Sequence, residues 1–407
     1  MFNHIEPYAG DPILSLMEAY QQDIRPNKVN LSIGLYYNEE GLTPIMDAIA
    51  RAKKKLSTRA DSPSLYLPMS GMPAYCMEVQ NLIFADAQEV IHEERIATIQ
   101  TLGGSGALKI GADFLKNSYP KSIVYVSDPT WDNHISIFSG AGLKVARYPY
   151  FDQSTGKVDF DSMINCLAGL EINSIVLLHP CCHNPTGADL TPLQWDRVIE
   201  IIKRGQLIPF LDMAYQGFGK GMKEDTYAIT AMTKAGLTFL LSNSFSKIFS
   251  LYGERIGGLS IVCPDKSEAK LVLGQLKATV RKNYSSPPAT GAQLVEAVLS
   301  SPTLKANWLD ELDHMRMRMN DMREELYRQL IALGGDPKRF RFLIEQKGMF
   351  SYTGFSTDQV KLLKEEFALY LVDSGRICIA GLNIENIGRV ARAFLEVTEQ
   401  LVEIETC

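Results

Sequence analysis

"FLLSNSFSKIFSLYGERIGGLSIV", residues 239 to 262, decides the reading of this chain. Two apolar runs, Phe239-Leu240-Leu241 and Ile256 to Val262, flank a segment of serines, phenylalanines and isoleucine that holds one lysine, Lys247, and an arginine, Arg255. Buried strands of this kind end where a sheet meets solvent or a ligand. A buried amine costs several kcal/mol unless it is neutralised or paired. Lys247 can be a plain surface lysine after a strand. It can also be an amine kept partly unprotonated, the nucleophile that forms Schiff bases with carbonyl compounds.

Working outward, Ile123 to Val126, Ile175 to Leu178 and Leu207 to Leu211 read as further buried strands. Ala107, Leu108, Gly111, Phe114 and Leu115 recur at helical spacing between them, as does the stretch from Pro192 to Lys203. Strands separated by helices predict an α/β fold with a mainly parallel central sheet covered by helices. From about residue 305 the character changes. Met315, Met319, Met322 and Leu326 mark the core face of a long helix, and Ile387, Val390, Ala391, Phe394, Leu395 and Leu401 mark another. We expect a large cofactor-binding domain over residues 45–310. A smaller α+β domain is expected from residues 1–44 together with 311–407.

Composition excludes several function classes. The chain has 407 residues, 46% of them hydrophobic, and carries a net charge of −6, with no Lys/Arg run beyond Lys53-Lys54-Lys55. Partners that bind a phosphate backbone carry a basic face, so no nucleic-acid partner is expected. No apolar stretch reaches the roughly 20 residues that span a bilayer, which argues against a membrane partner. The first residues lack a basic and then apolar leader. Seven scattered cysteines suit a reducing compartment, and the chain reads as soluble and cytoplasmic.

Four groups carry chemistry. Gly103-Gly104-Ser105-Gly106 opens a helix, where backbone N–H groups can approach an anion; its plain alternative is a turn with an N-cap. The pattern is not that of a dinucleotide site, since Leu108 and Lys109 follow. His179-Pro180-Cys181-Cys182-His183-Asn184-Pro185-Thr186-Gly187 invites zinc, but adjacent cysteines rarely serve one metal and the ligand spacing is wrong, so no metal is expected. Its Asn184-Pro185-Thr186-Gly187 part can be a turn only, or a turn that presents an amide. Phe210-Leu211-Asp212-Met213-Ala214-Tyr215 ends a strand on a carboxylate, either a helix cap or the partner of a positive group such as a pyridinium nitrogen. Last, Ser244, Ser246 and Arg255 offer phosphate donors around Lys247. A phosphate cradle beside a Schiff-base lysine specifies an aldehyde that carries a phosphate, pyridoxal 5′-phosphate.

With these groups on one chain, the sequence resembles the fold-type I, pyridoxal-phosphate-dependent aminotransferases of the aspartate/aromatic family. "HPCCHNPTG", "FLDMAYQGF", "SNSFSKIFSLYGERIGG", "VRKNYSSPP" and "GMFSYTG" occur in the family's order over nearly the whole length. "LSIGLYYNEEG", "SLYLPMSG" and "TIQTLGGSGALK" are most similar to the bacterial aromatic-amino-acid (tyrosine) branch. The resemblance implies that Lys247 forms the Schiff base and then moves the Cα proton. It further implies that Gly104, Ser105, Ser244, Ser246 and Arg255 hold the phosphate, that Asp212 meets the ring nitrogen, and that Asn184 and Tyr215 meet the phenolate oxygen. Trp131 would stack on the ring. Arg376 would clamp the substrate α-carboxylate, with Gly34 as a backbone position at the substrate. Arg281 would meet a second carboxylate from the partner subunit of a homodimer, and Tyr66 would cross the same interface towards the phosphate.

The reaction so implied is transamination of aromatic (tyrosine, phenylalanine) and dicarboxylic (aspartate, glutamate) L-amino acids with 2-oxoglutarate. An aspartate aminotransferase with minor aromatic activity, or a lyase or decarboxylase on the same fold, is the alternative. A charged Arg281 facing an aromatic ring must swing aside or stay wet, while apolar walls including Leu35 and Tyr36 hold the ring. Met213 and Phe245 depart from the aspartate branch, but both are apolar and of similar size to the residues they replace.

Overall fold

The computed structural model describes residues 1–2, 4–6, 12–57 and 65–405, with side chains omitted at 12–14 and 400–405. The chain divides into two compact units, Pro44–Arg318 and Met1–Thr43 with Met319–Cys407.

The first unit is built on a seven-stranded sheet: β1 (Ile96–Leu102), β2 (Ile123–Asp128), β3 (Lys144–Pro149), β4 (Ile175–Leu178), β5 (Ile208–Met213), β6 (Phe239–Ser244) and β7 (Ile256–Val262). Their spatial order is β1-β7-β6-β5-β4-β2-β3. All neighbours pair in parallel except β7, which is antiparallel to both β1 and β6. β4 and β7 are buried along their whole length, which is why they read as unbroken apolar runs and not as alternating patterns. The sequence missed β1 and β3. The latter carries Lys144, Arg147 and a terminal proline on a largely exposed edge, where strands blunt themselves with charge.

Helix α1 (Gly103–Ser118) lies closely on the sheet. A Cβ on Gly111 would sit 2.5 Å from Phe210 Cζ, so glycine is what lets the helix approach. Phe210 in turn meets Phe138 of α2 (Asp132–Gly140) edge to face at 5.8 Å. Helix α3 (Pro192–Gly205) starts on a capping box, with Thr191 and Gln194 satisfying each other's backbone N–H groups. Helix α4 (Lys266–Asn283) is capped by Asp265.

Strand direction places the site. β7 runs against β1 and β6, so β1, β2, β4, β5 and β6 all point their carboxyl ends the same way, and β7 starts at that edge. Ile256 pairs with Leu102 and Gly257 with Ser244, so Arg255, Gly103 and Phe245 share one end of the sheet. Ligands collect at this edge in open α/β sheets.

The second unit pairs Val29–Asn30 in parallel with Leu369–Tyr370, and β8 (Phe350–Tyr352) antiparallel with β9 (Arg376–Cys378). The C-terminal helix, Ile384–Glu405, buries Ile387, Val390, Ala391 and Phe394; Leu395 is half-buried and the side chain of Leu401 lies outside the described residues. The long helix α5 (Pro302–Ala332) runs from the first unit into the second and buries Met315, Met319, Met322 and Leu326.

Candidate active site

Gly103, Gly104 and Ser105 form the first turn of α1 and leave backbone N–H groups unused at the sheet edge. Arg255 stands in the left-handed region at φ 50° just before β7, which turns its side chain back over this turn. A Cβ on Gly103 would lie 2.7 Å from Arg255 Nη2, and one on Gly104 would lie 3.3 Å from Ser244 Cβ. Arg255 Nη1 lies 3.5 Å from Ser246 Oγ, and the Ser246 N–H donates to Ser244 Oγ at 3.2 Å. The sequence elements around residues 104, 244 and 255 are therefore one cluster of donors with a single positive fork.

Lys247 follows in the loop after β6 and is partly exposed, with Nζ 5.0 Å from the ring centroid of Tyr215, which is buried after β5. The setting of the lysine is apolar underneath: Phe245 and Phe249 are fully buried and meet edge to face at 5.1 Å. Trp308 closes this floor, donating from Nε1 to the Ile248 carbonyl at 2.7 Å.

Asp212, one residue before the end of β5, is a buried carboxylate. His134 Nε2 donates to its Oδ2 at 3.1 Å and Ser242 Oγ to its Oδ1 at 3.2 Å. Thr130 Oγ1 holds the other ring nitrogen of His134 at 2.9 Å. Burial works to raise Asp212, but the hydrogen bond and charge of His134, with His179 and Ser242, outweigh it and hold the carboxyl below its ordinary value. His179, packed 5.3 Å from His134, is pushed down to about 3 by burial and by the His134 charge, and stays neutral. Trp131 precedes α2 and meets His134 edge to face at 5.2 Å.

Asn184 sits in a tightly held loop. Asp189 accepts from the N–H groups of Cys182 and His183, both at 2.8 Å, which fixes Cys182 at φ 51°. Asp225 does the same for the loop after Tyr215, accepting from Gly217, Gly219 and Lys220 at 2.8 to 2.9 Å. The two histidines of the 179–183 stretch pack at 4.5 Å but do not share one ligand set with its two cysteines. His183 bonds Ser127 and Thr186, His179 faces His134 and Asp212, and both thiols face Asp225.

Arg281 is exposed at the end of α4 and donates to Ser285 Oγ. Tyr66 is 96% exposed beside a groove of about 860 Å³ that Met72, Tyr284, Ser285 and Pro288 also line. In the second unit, Arg376 is buried on β9, donates to the Ser32 carbonyl at 2.6 Å and lies 4.4 Å above the Phe350 ring. Gly34 packs on the same ring, where a Cβ would come within 2.9 Å of Phe350 Cζ.

Sequence reasoning gave no part to His134, Thr130, Ser242, Asp189 or Asp225. Only His134 left a local trace, one helical turn after Thr130. The others act through contacts that close in the fold. The donor set fits a phosphorylated pyridine aldehyde. It offers a helix N-terminus with a guanidinium for a dianion, an ionised buried carboxylate for a protonated ring nitrogen, and an amine on a loop at the same sheet edge.

Comparison with known proteins shows the family. Residues 26–394 match the family described as "Aminotransferase class I and II". The aromatic-amino-acid aminotransferase of Escherichia coli strain K12 is 58% identical over 397 residues, covering 98% of this chain and 100% of that protein. A tyrosine aminotransferase of Klebsiella pneumoniae is 56% identical with the same coverage. The crystal structure of an aromatic-amino-acid aminotransferase from Burkholderia pseudomallei, covalently bound to pyridoxal phosphate, superposes with a TM-score of 0.94 at 48% identity, covering 98% of this chain and 99% of that one. Sheet order, strand-end donors and near full-length identity lead to one conclusion: this chain belongs to the class I and II aminotransferases.

Proposed function

We propose that this aminotransferase moves amino groups between aromatic or dicarboxylic L-amino acids and 2-oxoglutarate, with pyridoxal 5′-phosphate as cofactor. The observation that carries it is the ionised Asp212, buried and held by His134 and Ser242, at the same sheet edge as Lys247 and the Gly104/Arg255 cluster. When bound, the cofactor supplies a carbonyl for the amine and a protonated ring that draws electrons from Cα.

The residues divide the work. Gly104, Ser105, Ser244, Ser246 and Arg255 bind the phosphate. Asp212 keeps the ring nitrogen protonated because a buried carboxylate held ionised favours a cation beside it. Asn184 and Tyr215 donate towards the ring oxygen, Trp131 covers the ring face, and the Lys247 amine takes the proton from the substrate Cα. Arg376 grips the α-carboxylate in a two-point fork, at the backbone of Gly34. Arg281 binds the second carboxylate of aspartate or glutamate.

The reading includes a homodimer in which Arg281 and Tyr66 serve the neighbouring subunit's site. Support comes from a tyrosine almost wholly exposed on a groove lined in part by apolar residues and by Ser285, the residue to which Arg281 donates. A cytoplasmic setting is supported by six free thiols among the described residues, where no helix is long and apolar enough to cross a membrane. The test is a kcat/KM panel for aspartate, tyrosine, phenylalanine and leucine, each with 2-oxoglutarate. Oxo-acid products from aspartate and the two aromatic substrates are expected. Ammonia or carbon dioxide in place of glutamate would point to the lyase or decarboxylase alternative.

A further inference from the structure

Arg323 is the largest charged side chain wholly inside the second unit, 2% exposed, and the proposed function gives it no part. It projects from α5 and divides its guanidinium among four neutral oxygens. Nη1 donates to the Leu343 carbonyl at 3.0 Å and to Ser351 Oγ at 2.5 Å; Nη2 donates to the carbonyls of Gly348 at 2.9 Å and Phe350 at 2.6 Å. An apolar side chain of similar volume fills such a place with equal or better stability, so stability alone does not explain a buried cation.

Its targets explain it. Among the described residues β8, three residues long, pairs with β9 alone, also three residues, and a two-stranded ribbon of this length is not stable by itself. The register sets Tyr352 opposite Arg376 and Phe350 opposite Cys378. Arg323 ties down the turn before β8 at Gly348, then the strand itself at Phe350 and Ser351. The Phe350 ring so fixed lies 4.4 Å from Arg376 Cζ on one side and against Gly34 on another. Ser32 fixes the far end of the same guanidinium. Burial pushes the Cys378 thiol up to about 11, while Arg376 and Arg323 both pull it down, so the two guanidinium charges act on the same space.

We propose that Arg323 is a positioning residue for carboxylate recognition: its fork locks β8 so that Phe350 seats the Arg376 guanidinium at the angle a substrate carboxylate requires, and its charge adds to the anion-attracting field there. This rests on the reading of Arg376 as the α-carboxylate clamp. A clamp held at the wrong angle loses part of a charge-assisted, two-point contact, worth ~10-fold or more in affinity.

The experiment uses the cofactor-loaded enzyme and two non-reacting probes, 3-phenylpropionate and succinate, titrated by the absorbance of the bound cofactor. Arg323→Lys keeps the charge but loses the fork, and should raise both dissociation constants and the KM of every substrate by about 10-fold. Cofactor affinity and kcat should stay within about twofold, a split that general loosening of the fold does not give. Phe350→Leu should reproduce the effect without touching the buried cation. If Arg323→Lys lowers only the thermal midpoint and leaves probe affinity intact, the proposal is overturned. Should that variant be recovered unfolded, Phe350→Leu decides alone, and unchanged affinity there overturns it equally. Arg376→Lys, run beside them, separates the two ideas: if it too leaves probe affinity intact, the clamp reading itself fails.

Discussion

His134 Nε2 lies 3.1 Å from Asp212 Oδ2, and the other ring nitrogen of His134 lies 2.9 Å from Thr130 Oγ1. A neutral or cationic imidazole in this chain donates to the carboxylate and keeps it charged in spite of burial. The charge under the candidate ring site is thus set from α2, not from β5, where the aspartate itself resides.

Because Asp212 sits below its ordinary value of 3.8 in the fold, its share of stability is present above about pH 4 and is lost as pH falls further. His134→Leu removes a charge-assisted hydrogen bond of about 1.5–3 kcal/mol. Urea unfolding between pH 3 and 7 should show the variant less stable near neutral pH but losing less stability than the parent as pH falls below about 4, because burial alone raises the carboxyl. Identical profiles would mean that the histidine does not hold the carboxylate ionised.

Asp189 behaves oppositely. Burial, only partly offset by the N–H groups of His183 and Cys182, pushes it up to about 6. The fold therefore binds its proton more tightly than the unfolded chain, and stability from this group declines as pH rises from about 4 to about 6. Asp189→Asn should flatten that slope in a pH series of denaturation midpoints. Since one amide oxygen cannot replace two carboxylate oxygens, Asn184 should also shift, seen as an altered pH dependence of the bound cofactor's absorbance.

Lys247→Ala should reduce transamination by at least about 10³-fold, since no other amine stands at that loop to move the proton. The protein should still fold and still bind the phosphate through Gly104, Ser105 and Arg255. An Arg255→Ala variant should show the reverse pattern, with cofactor affinity weakened about 10-fold or more and chemistry retained at saturation. Turnover unaffected by the loss of Lys247 would remove the proposed mechanism.

Arg281→Leu should weaken aspartate turnover far more than phenylalanine turnover, because only the dicarboxylate has an anion for it. Equal losses with both substrates would contradict a side chain that swings aside or stays hydrated for aromatic rings. The bond from Arg281 to Ser285 Oγ shows one position the guanidinium can take on its own helix end.

Mixing Lys247→Ala and Arg281→Leu subunits tests the dimer. If each Arg281 serves its neighbour, a hybrid has one site with both defects and one with neither, so random mixing should restore about a quarter of the parent's aspartate activity. No gain on mixing would place Arg281 in its own subunit's site.

Several features were readable from local pattern. The apolar runs Ile123–Val126, Ile175–Leu178, Leu207–Leu211 and Ile256–Val262, too short for helices and bounded by turn signals, read as strands and overlap the observed strands Ile123–Asp128, Ile175–Leu178, Ile208–Met213 and Ile256–Val262. The helices from Gly103 and Pro192 start at recognisable signals. The candidate groups stood out because each breaks a local expectation: a lysine among aromatics, a carboxylate closing an apolar run, glycines opening a helix. The antiparallel direction of β7 was not readable, because an apolar run carries no sign of which way it lies.

The amino-acid order alone thus marked most of the sheet strands and the helices from Gly103 and Pro192, and which chemically unusual side chains fall at their ends. Only the tertiary structure decided that Arg255 lies over Gly103, that His134 reaches Asp212 across 78 residues, and that Arg323 is buried beneath Phe350 and not solvated on a charged helix. The physical reason is range. Propensity and hydrophobic period act within a few residues, whereas strand register and the satisfaction of a buried charge depend on partners that meet only after the chain has packed.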